Sequence, residues 1–402
     1  MLRRVVKVRL YPTTEQKEII AQHFGCGRFV YNKGIELNKI QYEETGKGFS
    51  KNDLFKLIAL LKKEFPWLKD CYSQVLQMSM RNLGDALSDF FKGKARHPRY
   101  KSKFKSRQSI QFPENVKLKG RVSIAFPGRI GAVKASIHRS LDGKIKTVTL
   151  SKTSSDKYYC SVLMDYEGTE PEKSSTGKVV GIDVGIQDLA ISFDGIETKK
   201  YENPQYFRKE KRLAIEQRRL SKKKKGSNNR KKQIKKVARV PERVSNARQD
   251  HLHKVSRTIV NENQVLVVEN LNILGMVCAT GTLRERNRKL AKSISDAGLG
   301  MFINFISYKL ERSGKVLIKI DRWFPSSKLG SSCGYKMDKM PLEVREWQCP
   351  ECGCNHDRDI NAAKNIRAEG IRILSIADGT AVKACGADLR PQPTSVGAGR
   401  LH

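Results

Sequence analysis

The chain has 402 residues, a length that allows roughly two to four domains. Lysine and arginine outnumber aspartate and glutamate by 78 to 41, so the formal net charge is +37 and a polyanionic partner is expected. The sequence contains no apolar run of about eighteen residues and opens without a charged-then-apolar leader. Membrane insertion and secretion are therefore disfavoured, and nucleic acid is the favoured polyanion.

The first ninety or so residues predict one strand followed by a helical module at 13–95. Residues 3–10 alternate apolar and charged side chains, as a strand does, and Pro12 closes it. Thr13 or Thr14 is the expected helix cap, and leucines recur at helical spacing as far as about Phe91. For any single polar side chain here, a solvated helix face is the commoner role. The candidates for phosphate or base contacts are Arg28, Tyr31, Asn32, Gln74, Gln77 and Arg81.

Residues 96–168 predict a small antiparallel barrel or sandwich that the 3–10 strand joins. Short alternating runs near 121–126, 132–139, 144–151 and 157–166 are separated by turn sequences. Ahead of them, aromatic and cationic residues interleave, a composition typical of surfaces that stack bases and neutralise phosphates. The candidates in that stretch are Tyr100, Lys101, Lys103 and Lys105. Residues 167–177 predict a linker.

The second half predicts an α/β sheet with three strands first. Pro241 is expected to open one helix, and Ser295 or Asp296 to cap another. The basic segment 208–236 predicts two helices with a polar joint, and its candidates for binding nucleic acid are Lys222, Lys223, Arg230 and Lys231. The predicted strands and the last helix are 178–184, 189–193, 196–201, 264–269, 316–320 and 359–372. That is the element order of a ribonuclease H-like fold. The residues beyond predict a disordered tail.

Three acids occupy unusual positions. Asp183 lies in an apolar strand, Glu269 ends another strand, and Asp359 falls in the first turn of a helix. Singly, each has a simpler explanation: a turn residue, the end of an edge strand, and a helix cap. A carboxylate in a buried strand is costly unless it meets a cation or a donor. Together the three predict a shared site for a divalent cation such as Mg²⁺.

The cysteines divide into a scattered group and a cluster. There are nine, an odd number, which argues for a reducing compartment rather than a disulfide framework. The run Cys349 to Gly353 has the form of a zinc knuckle, and Cys333 is its distant partner. A four-cysteine ribbon needs another ligand three residues before Cys333, where this chain has Gly330. The alternatives are closure by Cys354, by His356 or by water, or a ribbon-shaped insert held by packing alone.

Several motifs together resemble those of TnpB proteins, which bacterial insertion sequences encode and which are relatives of type V CRISPR nucleases. The weaker N-terminal resemblance lies in 27–32 and 90–103, and Gly330 departs from the family's first zinc cysteine. The motifs that carry the resemblance are Gly181-Ile182-Asp183-Val184-Gly185, Val268-Glu269-Asn270-Leu271, Phe324-Pro325-Ser326-Ser327-Lys328, Cys349-Pro350-Glu351-Cys352-Gly353 and His356-Asp357-Arg358-Asp359-Ile360-Asn361-Ala362-Ala363.

The resemblance implies a mixed α/β and all-β/α fold. Its N-terminal part is a small wedge-like β-barrel, 1–12 with 96–168, with the helical recognition domain inserted. A ribonuclease H-like (RuvC) nuclease domain follows, and the last residues are a disordered tail. The implied nuclease domain, zinc-ribbon-like target-binding insert and tail are 178–325 with 357–374, 326–356, and 375–402.

The resemblance also implies an RNA-guided endonuclease that cuts double-stranded DNA beside a short motif, with a guide RNA from the transposon end. Asp183, Glu269 and Asp359 are the implied catalytic acids, holding two Mg²⁺ ions roughly 3.5–4 Å apart. Zn²⁺ at the cysteine cluster is a possible second cofactor. Guide RNA and target DNA are the expected partners, with no membrane. The expected location is the prokaryotic cytoplasm, at the nucleoid.

Three rival functions belong to other classes. A guide-dependent DNA-binding regulator without cleavage predicts a broken acid triad, whereas the triad here is complete. A guide-free transposase or resolvase needs no helical module at 13–95, and removal of RNA would separate it from a guided enzyme. A structural zinc-ribbon DNA-binding protein is weakened by Gly330.

Overall fold

The computed structural model describes residues 2–104, 108–169, 171–175, 177–204, 206, 210–277, 284–341 and 343–377, with the backbone alone for 210, 284–289 and 377. The chain forms two compact units, Met1–Thr169 with Arg218–Arg239, and Glu170–Gln217 with Val240–His402. Within the described ranges, none of the helices combines the length and apolarity needed to cross a bilayer. The predicted tail lies outside the described residues beyond Ala377, and its first three residues are helical.

The first unit begins with a strand followed by three helices. Strand β1 (Leu2–Tyr11) buries Val6, Val8 and Leu10 on one face, as its alternation predicts. Thr13 caps the next helix, accepting a hydrogen bond from the backbone N–H of Gln16 in a capping box. The helices are α1 (Thr14–Thr45), α2 (Lys51–Glu64) and α3 (Ser73–Phe91).

A seven-stranded antiparallel sheet completes the first unit, and its helices and strands share one hydrophobic core. The strands after α3 are β2 (Gln108–Phe112), β3 (Lys117–Lys119), β4 (Ser123–Phe126), β5 (Gly131–Ser136), β6 (Lys144–Lys152) and β7 (Tyr158–Tyr166). The sequence did not predict β2 or β3. Their order is β2-β6-β7-β1-β5-β4-β3, and no pair between β2 and β3 closes the sheet among the described residues. Closure into a barrel therefore stays a prediction.

The second unit is built on a five-stranded sheet of order β10-β9-β8-β11-β12. The strands β8 to β10 form the predicted antiparallel meander, whereas β11 runs parallel to both β8 and β12. A short hairpin, β13-β14, precedes the last helix. The strands are β8 (Val179–Asp183), β9 (Asp188–Phe193), β10 (Thr198–Glu202), β11 (Val265–Glu269), β12 (Val316–Ile320), β13 (Glu346–Gln348) and β14 (Asn355–Asp357).

The second half of the chain also contains helices, most of them between these strands. They are α4 (Glu210–Ser221), α5 (Asn228–Glu262), α6 (Ile273–Val277), α7 (Arg284–Ala297), α8 (Leu299–Arg312) and α9 (Arg358–Ala377). The break between α4 and α5 is the predicted polar joint. Residues 218–239 cluster with the first unit, although the sequence grouped them with the second half.

Two predicted helix boundaries are wrong. Pro241 lies inside α5 rather than at a helix start. It is exposed, so water can satisfy the carbonyl four residues earlier that loses its N–H partner. Ser295 and Asp296 lie inside α7, and the N-cap of α8 is Gly298, whose φ of 73° is a left-handed conformation that glycine adopts freely. Asp296 instead pairs with Arg248 at 2.5 Å.

Helix α9 packs unusually close to the sheet, and two glycines allow it. A Cβ atom on Gly181 would overlap the backbone oxygen of Ala363, and one on Gly370 would overlap the side chain of Val267. Arg367 reinforces the contact by donating a hydrogen bond from Nε to the carbonyl of Val179 at 3.0 Å. The beginning of α9 is thereby brought to the end of β8.

We predict that Gly181→Ala destabilises the second unit by about 1–3 kcal/mol or more, because its Cβ meets a backbone atom that cannot move aside. Gly300→Ala is the matched control. Its Cβ meets only Ile273 Cδ1 at 3.6 Å, and alanine favours the helix. Denaturant unfolding of both variants tests this. Equal midpoints for Gly181→Ala and wild type would contradict the close packing.

Candidate functional site

Asp183 and Glu269 end neighbouring parallel strands. Val268 pairs with Ile182, so the next position along each strand brings the two acids side by side. Side chains alternate faces along a strand, so Asp183 shares the face of Gly181, and Glu269 shares the face of Val267. That face is the one covered by α9. The two predicted strand acids therefore lie together, beneath one helix.

Asp357, and not Asp359, caps helix α9, so the Asp359 carboxylate is not used as the cap. Asp357 Oδ1 accepts hydrogen bonds at 3.0 Å from the backbone N–H groups of Asp359 and Ile360. The simpler explanation of Asp359 as a cap is therefore wrong. Its carboxylate lies in the first turn of α9 and accepts two hydrogen bonds from Arg345 Nη1, at 2.9 and 3.2 Å.

The charges of Glu269 and Asp359 both act on Asp183, although the three carboxylates are not among the described groups whose ligand atoms all lie within 4.8 Å of one another. Burial, followed by the negative charges of Glu269 and Asp359, raises the pKa of Asp183 to about 7, although the residue retains some exposure. Burial also raises the pKa of Glu269, against a hydrogen bond from Ser326. Like charges collected in a partly buried place suit a cation of high charge, and carboxylate oxygens are the ligands that Mg²⁺ prefers.

Side chains of α9 hold the loop that holds Glu269. The Ser326 hydroxyl donates to Glu269 Oε1. Asn365 Nδ2 donates to the carbonyl of Ser326 at 2.7 Å, and Asn361 Nδ2 donates to that of Leu329 at 2.7 Å. Both asparagines and Ser326 are buried. Ser326 and Asn361 belong to the motifs named above, whereas Asn365 and Arg345 were not predicted from the sequence.

The cysteine cluster gathers three thiols. The Sγ atoms of Cys333, Cys349 and Cys352 all lie within 4.8 Å of one another, with 3.5 Å between the first two. The knuckle closes when the N–H of Cys349 donates to the carbonyl of Cys354, and Gly353 turns the chain at φ 68°. A hydrogen bond from the Cys354 backbone lowers the pKa of Cys352 to about 7. The exposed Cys354 thiol lies outside this set of three.

The candidate nucleic-acid-binding residues of the helical module and of the stretch 100–105 differ in their exposure to solvent. Gln77, Arg81, Tyr100 and Lys103 are exposed. Tyr31 is buried beneath the Lys101 ammonium, 3.7 Å from the ring centroid, so it packs instead of offering its ring to a base.

Other members of the set make contacts within the unit. Asn32 exchanges two hydrogen bonds with the Lys101 backbone, Arg28 donates to Gln108, and Gln74 contacts Glu114. Lys105 lies outside the described residues.

The basic helices contain one structural arginine. Arg230 Nη1 donates to the carbonyls of Leu220 and Lys223 at 2.8 and 3.0 Å, which satisfies the end of α4. Lys222 and Lys231 are exposed and Lys223 is half-buried, so these lysines can face a phosphate backbone.

Three family models match parts of the chain. Residues 161–280 match OrfB_IS605, described as "Probable transposase", and residues 300–366 match the TNB domain of Cas12f1-like proteins. Residues 1–47 match a helix-turn-helix domain. In the structure, that segment is a strand followed by one 32-residue helix.

Whole-length relatives carry a consistent description. A Streptomyces pristinaespiralis protein named "Putative RNA-guided DNA endonuclease" is 37% identical, and the match covers 99% of this chain and 95% of that protein. A relative so named from Escherichia coli (strain K12) is 31% identical, with 97% of both chains covered. The chain of a solved Cas12f1–sgRNA–target DNA complex matches with a TM-score of 0.52 at 14% identity, over 91% of this chain and 98% of that one. This last likeness concerns the fold alone.

We predict that the charge at Asp183 makes the second unit less stable as pH rises. Its pKa is about 7 in the folded chain and about 4 when unfolded, so the unfolded state ionises first. Stability from the protonated form is complete below about pH 4 and lost through pH 7. With a chelator present, Asp183→Asn should exceed wild type by about 1–4 kcal/mol at pH 8 and match it near pH 4. Parallel pH profiles in denaturant unfolding would refute the shift.

Proposed function

Because this chain belongs to the TnpB family of RNA-guided DNA endonucleases, we propose that it cuts double-stranded DNA beside a short adjacent motif, directed by a guide RNA from the transposon end. The observation that supports the catalytic assignment is the position of Asp183 and Glu269 at adjacent strand ends beneath the helix whose first turn contains Asp359, and the raised pKa of Asp183 agrees with it. These three acids are the proposed catalytic residues.

The proposed site uses the three carboxylates to hold Mg²⁺, which prefers carboxylate oxygens as ligands. Bound there, Mg²⁺ would supply an activated water and neutralise charge on the cleaved phosphodiester. Because the charges of both Glu269 and Asp359 act on Asp183, the three acids together would hold the metal. Ser326 fixes the Glu269 carboxylate through a hydrogen bond. The Asp357 carboxylate accepts the backbone hydrogen bonds that set the first turn of α9.

Arg345 has a proposed role at the substrate. It balances the charge of Asp359 while keeping roughly half of its side chain exposed. A guanidinium presents a fork of donors that matches phosphate oxygens. We assign Arg345 to the DNA phosphate next to the acids, where it would exchange one anionic partner for another as substrate enters.

The domain assignments form part of the proposal. The five-stranded sheet with α9 is assigned as the RuvC-like nuclease domain, and the β13-β14 hairpin with its cysteines as the zinc-ribbon-like insert. The three thiols within 4.8 Å support Zn²⁺ held by Cys333, Cys349 and Cys352. The first unit is assigned as a wedge-like barrel with its helical recognition module.

Exposed cations would hold the guide–target heteroduplex by its backbone. Lys103, Lys222 and Lys231 are exposed lysines among the candidates for phosphate contacts. Tyr100, which is 58% exposed, offers a ring on which a base can stack. The net charge of +37 supports this assignment over a merely solvated basic face. A guide-dependent regulator without cleavage ranks second, because it has no need of three converging acids.

We predict that Asp183→Ala, Glu269→Ala and Asp359→Ala each reduce cleavage of a matched plasmid to background, because each removes a charge that holds the metal. Co-purifying RNA should be retained at the wild-type level. Glu346→Ala, which removes an exposed acid from the neighbouring hairpin, should cut like wild type.

Wild-type cutting by any of the three variants would reject that residue's catalytic role. A ribonuclease arm tests the guided mechanism separately: activity that persists after complete removal of RNA would favour a guide-free nuclease.

A further inference from the structure

His356 contains a polar atom that lacks a partner in its surroundings. The residue is 7% exposed, and its Nε2 atom is buried with no hydrogen-bond partner among the residues described. Buried imidazole nitrogens normally donate, accept or bind a metal, because leaving one unpaired forfeits its interaction with water. The position of this nitrogen therefore suggests a ligand.

Gly330 locates that ligand. A Cβ atom at this position would lie 3.5 Å from Cys333 Sγ and 3.7 Å from His356 Nε2. Those two atoms therefore border the same space, which is the space that the side chain of a cysteine at 330 would occupy. The thiol of Cys333 belongs to the cluster of three, so the imidazole nitrogen lies beside the cluster at the side where Gly330 contributes no ligand.

The hairpin packs the imidazole beside the ring of Trp347. His356 pairs with Trp347 across β13-β14, and the two rings lie 4.6 Å apart between centroids at 33°. Cys349 follows Trp347 by two residues, just beyond β13, and both side chains are buried in one hydrophobic cluster. Nε2 stands outside the set of atoms that lie within 4.8 Å of one another, so binding requires a turn of the ring towards the thiols.

Cys354 is the weaker alternative. It precedes His356 by two residues, yet its side chain is exposed, and its thiol is not in the cluster. Its backbone carbonyl is already used to close the knuckle with the N–H of Cys349 at 2.9 Å.

We propose that His356 Nε2 is the fourth ligand of a zinc ion held by Cys333, Cys349 and Cys352, giving a Cys₃His site in which histidine compensates for Gly330. Three thiolates and one imidazole complete the tetrahedron of a structural zinc site. The proposal rests on the zinc site assigned above and is independent of DNA cleavage.

Metal analysis of the purified full-length chain tests the proposal, together with the absorption spectrum after replacement of zinc by Co²⁺. Wild type should contain one zinc ion, and the cobalt form should show the charge-transfer and d–d bands of a tetrahedral Cys₃His centre. His356→Ala should release zinc to a competing chelator at least about tenfold more readily and alter the d–d bands. Cys354→Ser should match wild type in both measurements.

A second variant separates loss of the ligand from loss of the fold. A Cβ at Gly330 makes only ordinary contacts, so Gly330→Cys is accommodated. In the His356→Ala background it should restore tight zinc binding, with a cobalt spectrum of four thiolates.

Three results would overturn the proposal. An unchanged spectrum and unchanged zinc retention in His356→Ala would remove histidine from the coordination sphere. Loss of zinc in Cys354→Ser, with retention in His356→Ala, would assign the fourth position to Cys354. Wild-type protein without zinc would refute the zinc site itself, and with it this ligand, while leaving the nuclease proposal to its own test.

Discussion

The charges of Glu269 and Asp359 act on the partly buried carboxyl group of Asp183 at a cost in electrostatic free energy, and the proposed site depends on that constraint. Burial together with the other two charges raises the pKa of Asp183 to about 7. A protein designed only for stability has no reason to collect like charges in a partly buried place. A cation that neutralises all three would turn the repulsion into binding, which is the physical basis of the proposed nuclease site.

Helix α9 connects the parts of this site. Gly181 and Gly370 let it lie against β8 and β11, so its first turn is brought to the end of β8. Its asparagines hold the loop of Ser326, which in turn holds Glu269. His356 lies two residues before this helix, on the strand β14 that leads into it. The proposed zinc site and the proposed magnesium site are therefore separated by only a few residues, and metal at the first would stiffen the entry to the second.

Much of this organisation could be predicted from local sequence, and the exceptions have physical reasons. The acids Asp183 and Glu269 were identifiable because an apolar strand that contains a carboxylate is unusual. Helix α9 was predictable because a carboxylate at its start is followed by a polar and then apolar run. Pro241 misled because an exposed proline inside a long helix leaves only a carbonyl that water can reach. Gly298 misled because its left-handed backbone divides two helices without a polar cap.

Contacts between residues distant in sequence were beyond local patterns. Ser326 and Glu269 are 57 residues apart, and nothing in either segment announces their hydrogen bond. Arg345 reaches Asp359 across the hairpin in the same way. Tyr31 was a reasonable stacking candidate by composition, and only the fold shows that Lys101 covers its ring. Closure of the N-terminal barrel and the role of each surface cation depend on partners that the sequence alone does not specify.

The most direct test of a metal site shared by Asp183, Glu269 and Asp359 is to replace Mg²⁺ by Fe²⁺ and to map where the bound iron cleaves the polypeptide. With ascorbate and peroxide, bound iron generates hydroxyl radicals that cleave backbone within a few ångströms. If the three acids share one metal site, three sets of fragments are expected, with breaks next to Asp183, Glu269 and Asp359. All three should be suppressed by excess Mg²⁺ and absent in Asp183→Asn. Breaks next to only one of these acids, or cuts that persist in Asp183→Asn, would contradict a shared metal site.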